Sequence, residues 1–344
     1  MSFMQRLLGR APAKSGRQRA RRRRPLSPIG LQAAEVETLE DRALLSASPL
    51  PYATAANVSQ LTADIAAANK AGGAITIKLA SNTTFNLSSA NNSANGGNGL
   101  PVISGSKGLN LTIVGNGDTI ARVGLKAFRL IDVAPGASLT LDHVRLQGGY
   151  SLSGGGAIYN QGTLKVIDGS ILSGNHAQDG GGIDNAGGTV TVSNSTLSGN
   201  TAQDGGGIEN GAGVVTLANC ALSGNQAQLG GGILNFATLT VGNSTLSGNA
   251  ANQIYGSGGD GGGIANYGGS VTLNNSTVSG NSAVSAAGIY TYGGKVTVEN
   301  SSRVTGNISN FPDEPAGDIY NNGVLAVDST STIGSLFGNP AQLI

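Results

Sequence analysis

The sequence contains little of what an ordinary globular core is built from. Tryptophan is absent, aromatic residues make up 4% of the 344 residues, and only 11% are charged. Glycine, by contrast, occurs 56 times, which opposes long helices because each glycine inside a helix costs about 1 kcal/mol relative to alanine. The composition therefore excludes an aromatic-rich spherical core and favours a narrow fold filled by aliphatic side chains.

Disulfides and membrane spans are also missing. Cys220 is the only cysteine, and because serine takes its place in neighbouring repeats we interpret it as a small core residue. No apolar run approaches the roughly 20 residues of a membrane helix. No apolar stretch of about 7–15 residues follows a basic region, as a secretory signal requires. The sequence predicts neither a transmembrane segment nor ordinary signal-peptide export.

Charge is divided unevenly along the chain. Residues 1–50 carry ten basic and four acidic residues, a net charge of +6, whereas residues 51–344 carry ten and fifteen, a net charge of −5. The basic tract Arg17–Arg24 lies between prolines, a composition that predicts disorder. It has no interleaved aromatic residues to stack on bases, and the remainder is acidic, so we expect no nucleic-acid partner.

An internal repeat occupies the chain from Gly156 to Asn321. Its marker isoleucine recurs at intervals of 25, 25, 25, 31, 25 and 30 residues: Ile158, Ile183, Ile208, Ile233, Ile264, Ile289 and Ile319. Asparagine follows two residues later in all but one repeat: Asn160, Asn185, Asn210, Asn235, Asn266 and Asn321. The longest interval contains an insertion from Gln253 to Gly259, predicted to be a protruding loop. A period of this length predicts a solenoid of stacked units.

The polar and apolar residues within each repeat alternate, as in Thr189–Val192 and Thr238–Val241. Alternation predicts strands with one buried face. Each repeat is therefore interpreted as one coil of a parallel β-helix with three short strands. Stacking places equivalent residues about 4.8 Å apart, so the asparagines are predicted to form a structural ladder of side-chain hydrogen bonds, with no catalytic role.

The repeat resembles a known family. Gly180-Gly181-Gly182-Ile183-Asp184-Asn185, followed by Leu197-Ser198-Gly199-Asn200, is similar to the repeats of pectin-lyase-like bacterial surface proteins and of polymorphic outer-membrane-protein-type adhesins. The resemblance runs from Tyr52 to Ile344. It implies an all-β, right-handed, three-sided parallel β-helix with about 25 residues per coil, and it implies little about activity.

A second resemblance lies in the basic N-terminal segment. Val36–Ala47 is similar to the LEPR-XLL sorting-type motif that precedes large bacterial surface proteins, with Asp41 in place of the motif's proline. This resemblance implies an extracellular or cell-surface destination in the outer envelope. The alternative is an amphipathic helical turn that carries no address.

The sequence thus divides into a basic segment, 1–50, and one β-helix domain, 51–344. A capping helix is predicted near 57–71, where Asn57 and Gln60 form a capping box and Gly72-Gly73 ends the helix. Its expected role is to cover the open end of the first coil. Irregular coils are predicted over 74–136, regular coils over 137–323, and a C-terminal cap over 324–344.

Two sets of outward-facing residues are candidate sites. The first set consists of carboxylates on adjacent coils: Asp179, Asp184, Asp204 and Glu209. Paired carboxylates cleave glycosidic bonds, but any equivalent residues on stacked coils have this spacing, so an inert solvated face is also open. A third possibility is a divalent-cation site for Ca²⁺, and no other cofactor is expected.

The second set is aromatic: Phe236, Tyr267, Tyr290, Tyr292 and Tyr320. A row of flat rings can stack on sugars or dock a partner, or it can stabilise the coil stack as a ladder. Both interpretations remain open from the sequence.

The sequence favours a secreted or surface-displayed β-helix of structural, adhesive or carbohydrate-contacting type, without catalysis. Its expected partner is a polysaccharide or a component of the cell envelope. The alternative is a polysaccharide-degrading enzyme, a glycosidase or a lyase. Lyases need a cation beside the reacting uronate, yet from Gly149 onward the only cations are Lys165, Lys295 and Arg303, which lie coils apart.

Overall fold

A computed structural model of the chain describes residues 52–252, 259–310 and 317–344. These residues form a parallel β-helix of about 10 turns, with about 26 residues per turn and 5% helix. The predicted all-β solenoid is confirmed. The basic segment with its sorting-type motif lies outside the described residues, as does the insertion except for Gly259. No helix in the described ranges is long and apolar enough to cross a membrane.

The N-terminal helix, α1, occupies Val58–Ala71. The side-chain carbonyl of Asn57 accepts a hydrogen bond from the backbone N–H of Gln60 at 3.0 Å, and the Gln60 side chain accepts one from the N–H of Ala56. The first bond satisfies one of the donors that a helix start leaves free, and the second ties the Gln60 side chain to the residue before the N-cap. Gly72, with φ of +71°, ends the helix. The buried face of α1 packs against the first strands of the solenoid: Tyr52–Ala55, Ala74–Leu79 and Thr84–Leu87.

Each coil contributes strands to three faces. The isoleucine face carries the Ile-x-Asn strands: Ile131–Val133, Ile158–Asn160, Ile233–Asn235, Ile264–Tyr267 and Leu336–Gly338. The threonine face carries Tyr52–Ala55, Ala74–Leu79, Asn110–Val114, Ser138–Asp142, Thr163–Ile167, Thr238–Gly242, Ser270–Asn274 and Gln342–Leu343. Four longer strands run through both of these faces: Ile183–Ser193, Ile208–Ala218, Ile289–Glu299 and Ile319–Val327. These strands join the two faces into one sheet.

The leucine face is a separate sheet of ten strands in the described part of the chain. Its strands are Thr84–Leu87, Thr119–Arg122, Arg145–Gln147, Ile171–Ser173, Thr196–Ser198, Ala221–Ser223, Thr245–Ser247, Thr277–Ser279, Arg303–Val304 and Thr332–Ile333. A third, minor sheet consists of Gln226–Ala227, Ala250–Ala251, Ser282–Ala283 and Ile308–Ser309. All inter-strand pairs of the named strands are parallel, as stacked coils require.

The interior consists of columns of identical or similar side chains. An aliphatic column on the leucine face is in register on successive coils: Leu146, Leu172, Leu197, Leu222, Leu246, Val278 and Val304. The marker isoleucines form a second column, and every one of them is fully buried. Burial of one such side chain stabilises the fold by roughly 1.5–3 kcal/mol, so the repeat itself supplies the core.

Two buried asparagine ladders link the coils. In the predicted ladder each asparagine side-chain amide donates to the asparagine of the next coil at 2.8–2.9 Å, in a series that begins at Asn160 and reaches Asn266. Asn266 then donates to Thr291 Oγ1 at 3.1 Å. A second ladder of the same kind contains Asn175, Asn200, Asn225, Asn249, Asn281 and Asn307. It ends where Asn307 donates to Asp318 Oδ1 at 2.8 Å.

We expect Asn225→Ala to lower the free energy of unfolding by about 2–4 kcal/mol. The change removes the bonds from Asn225 Nδ2 to Leu197 O and Asn249 Oδ1, and it takes the acceptor Asn225 Oδ1 from the backbone N–H and from one side-chain N–H of Asn200. Denaturant unfolding measures the difference. Asn86→Ala is the control, because Asn86 is exposed on a strand and its loss should cost less than about 0.5 kcal/mol. Similar losses in both variants would mean that the ladder does not stabilise the stack.

The C-terminal segment differs from the predicted cap. Leu336–Gly338 pairs in register with Ile319–Asn321, and Gln342–Leu343 pairs with Ala326–Val327. Residues 324–344 therefore continue the solenoid as one more coil. The physical reason is that Leu336 packs against the core as the next member of the isoleucine column.

Candidate active site

The four predicted carboxylates lie together on two adjacent coils of the isoleucine face. Asp184 lies between the inward-facing Ile183 and Asn185, and Glu209 is its register partner on the next coil. Asp179 and Asp204 are bridged to each other in the same way, five residues earlier in each coil. We call Asp179, Asp184, Asp204 and Glu209 the carboxylate cluster.

Glycine corners separate the two pairs of carboxylates. Gly205 has a φ of +64°, which L-residues with side chains rarely adopt. A Cβ on Gly207 would lie 2.6 Å from the carbonyl oxygen of Gly232 on the next coil. The corner between Asp204 and Glu209 carries no side chains. The negative charge of Asp204 therefore raises the pKa of Glu209 across it.

The carboxylates point outward, as predicted, but the face is not fully solvated, because Asp179, Asp204 and Glu209 are half-buried and Asp184 is buried. Asp184 is only 7% exposed. A Cβ on Gly154 of the preceding coil would overlap the Asp184 carboxylate, so that coil covers it. No hydrogen bond from the described residues reaches the Asp184 side chain, and Glu209 Oε2 is buried without a partner. Buried oxygens without donors are costly, and a bound hydroxyl group would satisfy them.

Burial changes the acidity of the cluster. It raises the pKa of Asp184 to about 7, of Glu209 to about 8 and of Asp204 to about 6, and it also raises the pKa of Asp179. Repulsion between neighbouring carboxylates adds to the effect on Asp184, Asp204 and Glu209. Near neutral pH the cluster therefore holds a protonated carboxyl group and an ionised one side by side.

These shifts predict that stability falls as pH rises. Between the ordinary carboxyl pKa values near 4 and the raised values, the folded state binds more protons than the unfolded state. The free energy of unfolding should therefore decline from pH 4 until it levels off above pH 8. We expect the double variant Asp184→Asn and Glu209→Gln to be more stable than wild type by about 3 kcal/mol at pH 8 and to differ little at pH 4.

Urea unfolding at several pH values tests this dependence. Asp168→Asn is the matched control, because Asp168 is exposed in a turn where other coils carry asparagine. It should not change the pH dependence. A double variant that follows the wild-type pH curve would show that the cluster titrates as ordinary surface carboxylates.

Arg129 is a charged neighbour of the site that sequence reasoning did not single out. It is fully buried and lies 3.8 Å from Asp132 as an ion pair. Its guanidinium donates to Asn98 Oδ1, Gly154 O and the hydroxyls of Ser151 and Ser153.

The Arg129 guanidinium also lies 4.8 Å from the centre of the Tyr159 ring, on the coil before Asp184. Its positive charge partly offsets the rise in the pKa of Asp184. No repeat marks this residue, because it lies in the irregular coils before Gly156. An arginine among the apolar residues Phe128, Leu130 and Ile131 was the only available signal in the sequence.

The predicted aromatic residues form one continuous row on the same face. Tyr290 and Tyr320 stack with ring centres 4.9 Å apart and planes inclined by 8°, and Tyr320 continues to Phe337 at 5.7 Å. Tyr267 lies 6.0 Å from Phe236 and 5.6 Å from Tyr290. The aromatic row is therefore defined as Phe236, Tyr267, Tyr290, Tyr292, Tyr320 and Phe337.

Some rings of the aromatic row are stacked against each other, whereas others keep exposed surface. The faces of Tyr290 and Tyr320 cover each other, which stabilises the stack. Phe236 is 44% exposed and Tyr292 is 56% exposed, so these two rings keep accessible surface. Sugar binding by the row stays a prediction.

A metal site is not preformed in the described part of the chain. No group of three or more His, Cys, Asp and Glu side chains there is placed to hold an ion. Carboxylates are ligands that Ca²⁺ prefers, but the cluster is not arranged around such a centre. Calcium binding stays a prediction, and no step below depends on it.

No family model matches this chain, and no curated protein matches its sequence. Among solved structures, it is similar to an alginate lyase from Paenibacillus sp. str. FPU-7 at 13% sequence identity. The match covers 85% of this chain and 97% of that one, with a TM-score of 0.40.

Proposed function

We propose that this protein cleaves glycosidic bonds of a polysaccharide and that the carboxylate cluster performs the chemistry. The observation that carries the proposal is the grouping of four carboxyl groups on two adjacent coils, with Asp184 buried and Glu209 Oε2 lacking a partner. An inert solvated face would not bury Asp184 and Glu209 Oε2. The proposal replaces the non-catalytic interpretation that the sequence favoured.

Glycoside hydrolysis divides its work between two carboxyl groups. One protonates the leaving oxygen, while the other, ionised, attacks the sugar or activates water. In the proposed assignment Glu209 is the proton donor, because the pKa raised to about 8 keeps it protonated at neutral pH. Asp204, with a pKa of about 6, supplies the carboxylate. Asp184 holds the Glu209 proton in place by disfavouring a second negative charge beside it.

Hydrolysis is proposed in preference to elimination. Elimination at a uronate requires a cation that stabilises the negative charge developing on the sugar. Arg129 is the cation that acts on the cluster, and it is fully buried with its donors occupied by Asn98, Gly154, Ser151 and Ser153. It therefore cannot reach a uronate bound outside the coil.

The experiment is a depolymerisation screen of the full-length protein against a panel of plant, bacterial and algal polysaccharides. We expect new reducing ends to appear without the ultraviolet absorbance of an unsaturated product. Unsaturated products would show that the protein cleaves its substrate by elimination and not by hydrolysis. Binding to a polysaccharide without any cleavage would restore the adhesive, non-catalytic interpretation.

We also propose that the protein acts outside the cell or at its surface, on the strength of the Leu39–Leu45 motif. Deletion of residues 1–50 is expected to leave folding of the β-helix unchanged and to abolish export. Fractionation of cells that express either form, with circular dichroism of both purified proteins, checks the two outcomes. Normal export of the truncated chain would contradict the role of the motif.

A further inference from the structure

The charges around the carboxylate cluster restrict what can bind there. Asp184, Asp204 and Glu209 are each repelled by at least one neighbouring carboxylate, and Asp179 is a neighbour of all three. The same face also carries Asp132, one coil before Tyr159. Arg129 acts on Asp184, whereas no cation acts on Asp179, Asp204 or Glu209 within the described residues.

The other cations of the regular coils are directed elsewhere. Lys165 and Lys295 lie on the threonine face, in register with Thr191 and Ser270 respectively. Arg145 and Arg303 lie on the leucine face, in register with Ile171 and Thr277. A uronate chain on the isoleucine face would therefore place its carboxylates beside other carboxylates without a counter-charge. Two like charges in contact repel each other even in water, and more strongly at a partly buried site.

The unsatisfied groups of the cluster are hydrogen-bond acceptors. The Asp184 side chain receives no donor from the described residues, and Glu209 Oε2 is buried without one. Sugar hydroxyls donate hydrogen bonds, and sugar ammonium groups donate them with a favourable charge. A sugar carboxylate only accepts hydrogen bonds and therefore offers no donor to an ionised carboxylate of the cluster.

We infer that the polysaccharide bound by this site carries no carboxylate groups and that its sugars are uncharged or bear amines. The inference rests on the proposed function, because it identifies the substrate class of the same site. It assigns discrimination to the uncompensated negative charge of Asp179 and Asp204.

Matched ligands test the inference. The probes are soluble oligosaccharides of amylose, cellulose and chitosan, with the first two also prepared in a form oxidised to the carboxylate at C6. Binding to full-length Glu209→Gln protein, which is expected not to turn them over, is measured by calorimetry. We expect at least one unoxidised series to bind at least tenfold more tightly than any oxidised series at low salt. For amylose and cellulose, the ratio between the affinities of the unoxidised and oxidised forms should shrink at high salt.

A variant that adds a positive charge beside the cluster sharpens the test. Leu229 follows Asp204 in its column on the next coil, so Leu229→Lys should weaken the discrimination against oxidised chains at least threefold. Val214→Lys is the control, because Val214 is 39% exposed on the threonine face. It should leave the discrimination unchanged.

The outcomes separate the inference from the proposed function. Binding of an unoxidised series without cleavage by the wild-type protein would sink the proposed function and leave the substrate class standing. Equal or tighter binding of the oxidised series would overturn the inference, even if cleavage occurs. Binding of none of the series would also overturn it.

Discussion

Ile208→Asp is expected to prevent folding of the β-helix. Ile208 is fully buried and lies in register between Ile183 and Ile233 in the central part of the isoleucine column. An aspartate there has neither water nor a cationic partner, and burying it costs several kcal/mol whether it stays ionised or takes up a proton. That cost is comparable to the total stability of many domains. Far-UV circular dichroism and thermal unfolding should show the loss of β-structure.

Val214→Asp provides the matched control for this prediction. It introduces the same side chain six residues later in the same strand, but at an outward position that is 39% exposed. We expect it to fold and to change stability by less than about 1 kcal/mol. A folded, stable Ile208→Asp protein would mean that the inward and outward positions of the coil are assigned in reverse.

Glu209→Gln is expected to lower kcat by roughly 10²–10⁴-fold on any polysaccharide that the protein cleaves. Glutamine preserves the shape of the side chain but cannot donate a proton to a leaving oxygen. The wild-type rate should follow a bell-shaped pH profile with limbs near pH 6 and pH 8. Below the first limb the Asp204 base is protonated, and above the second the Glu209 acid is ionised.

If the Glu209→Gln variant keeps weak activity, its pH profile should lack the alkaline limb, because that limb reports ionisation of the Glu209 acid. Asp168→Asn, in its exposed turn, should keep both the rate and the profile of the wild type. A Glu209→Gln protein with the full wild-type rate would remove Glu209 from the chemistry. A profile with limbs near pH 4 would show that the acting carboxyl groups are not those of the buried cluster.

The fold could be predicted from the sequence because each coil repeats the same physical solution. The interval of 25 residues sets the length of a coil, and residues at that interval must stack. The pairs Leu197–Leu222 and Asn210–Asn235 accordingly lie in register, as expected. The sequence also predicted that Asp184 and Glu209 would be neighbours, because their place in the repeat is the same.

The environment of the site could not be predicted in the same way. Alternation along a strand tells which residues point outward but not what covers them. Asp184 points outward and is nevertheless buried, because Gly154 and the coil before it pack against its carboxylate. Arg129 reaches this region from an irregular coil, where no period relates it to Asp184. These contacts depend on three-dimensional packing between unlike segments.

The most direct test of the proposed site is a titration of the carboxyl groups of the cluster, which requires no knowledge of the substrate. Carbon-13 NMR of protein labelled at aspartate and glutamate side chains gives each pKa, and the Asp184→Asn and Glu209→Gln variants identify the resonances. We expect Asp184 to titrate near pH 7 and Glu209 near pH 8. Titration of both groups near pH 4 would contradict this expectation, because the cluster would then hold no proton to donate at neutral pH.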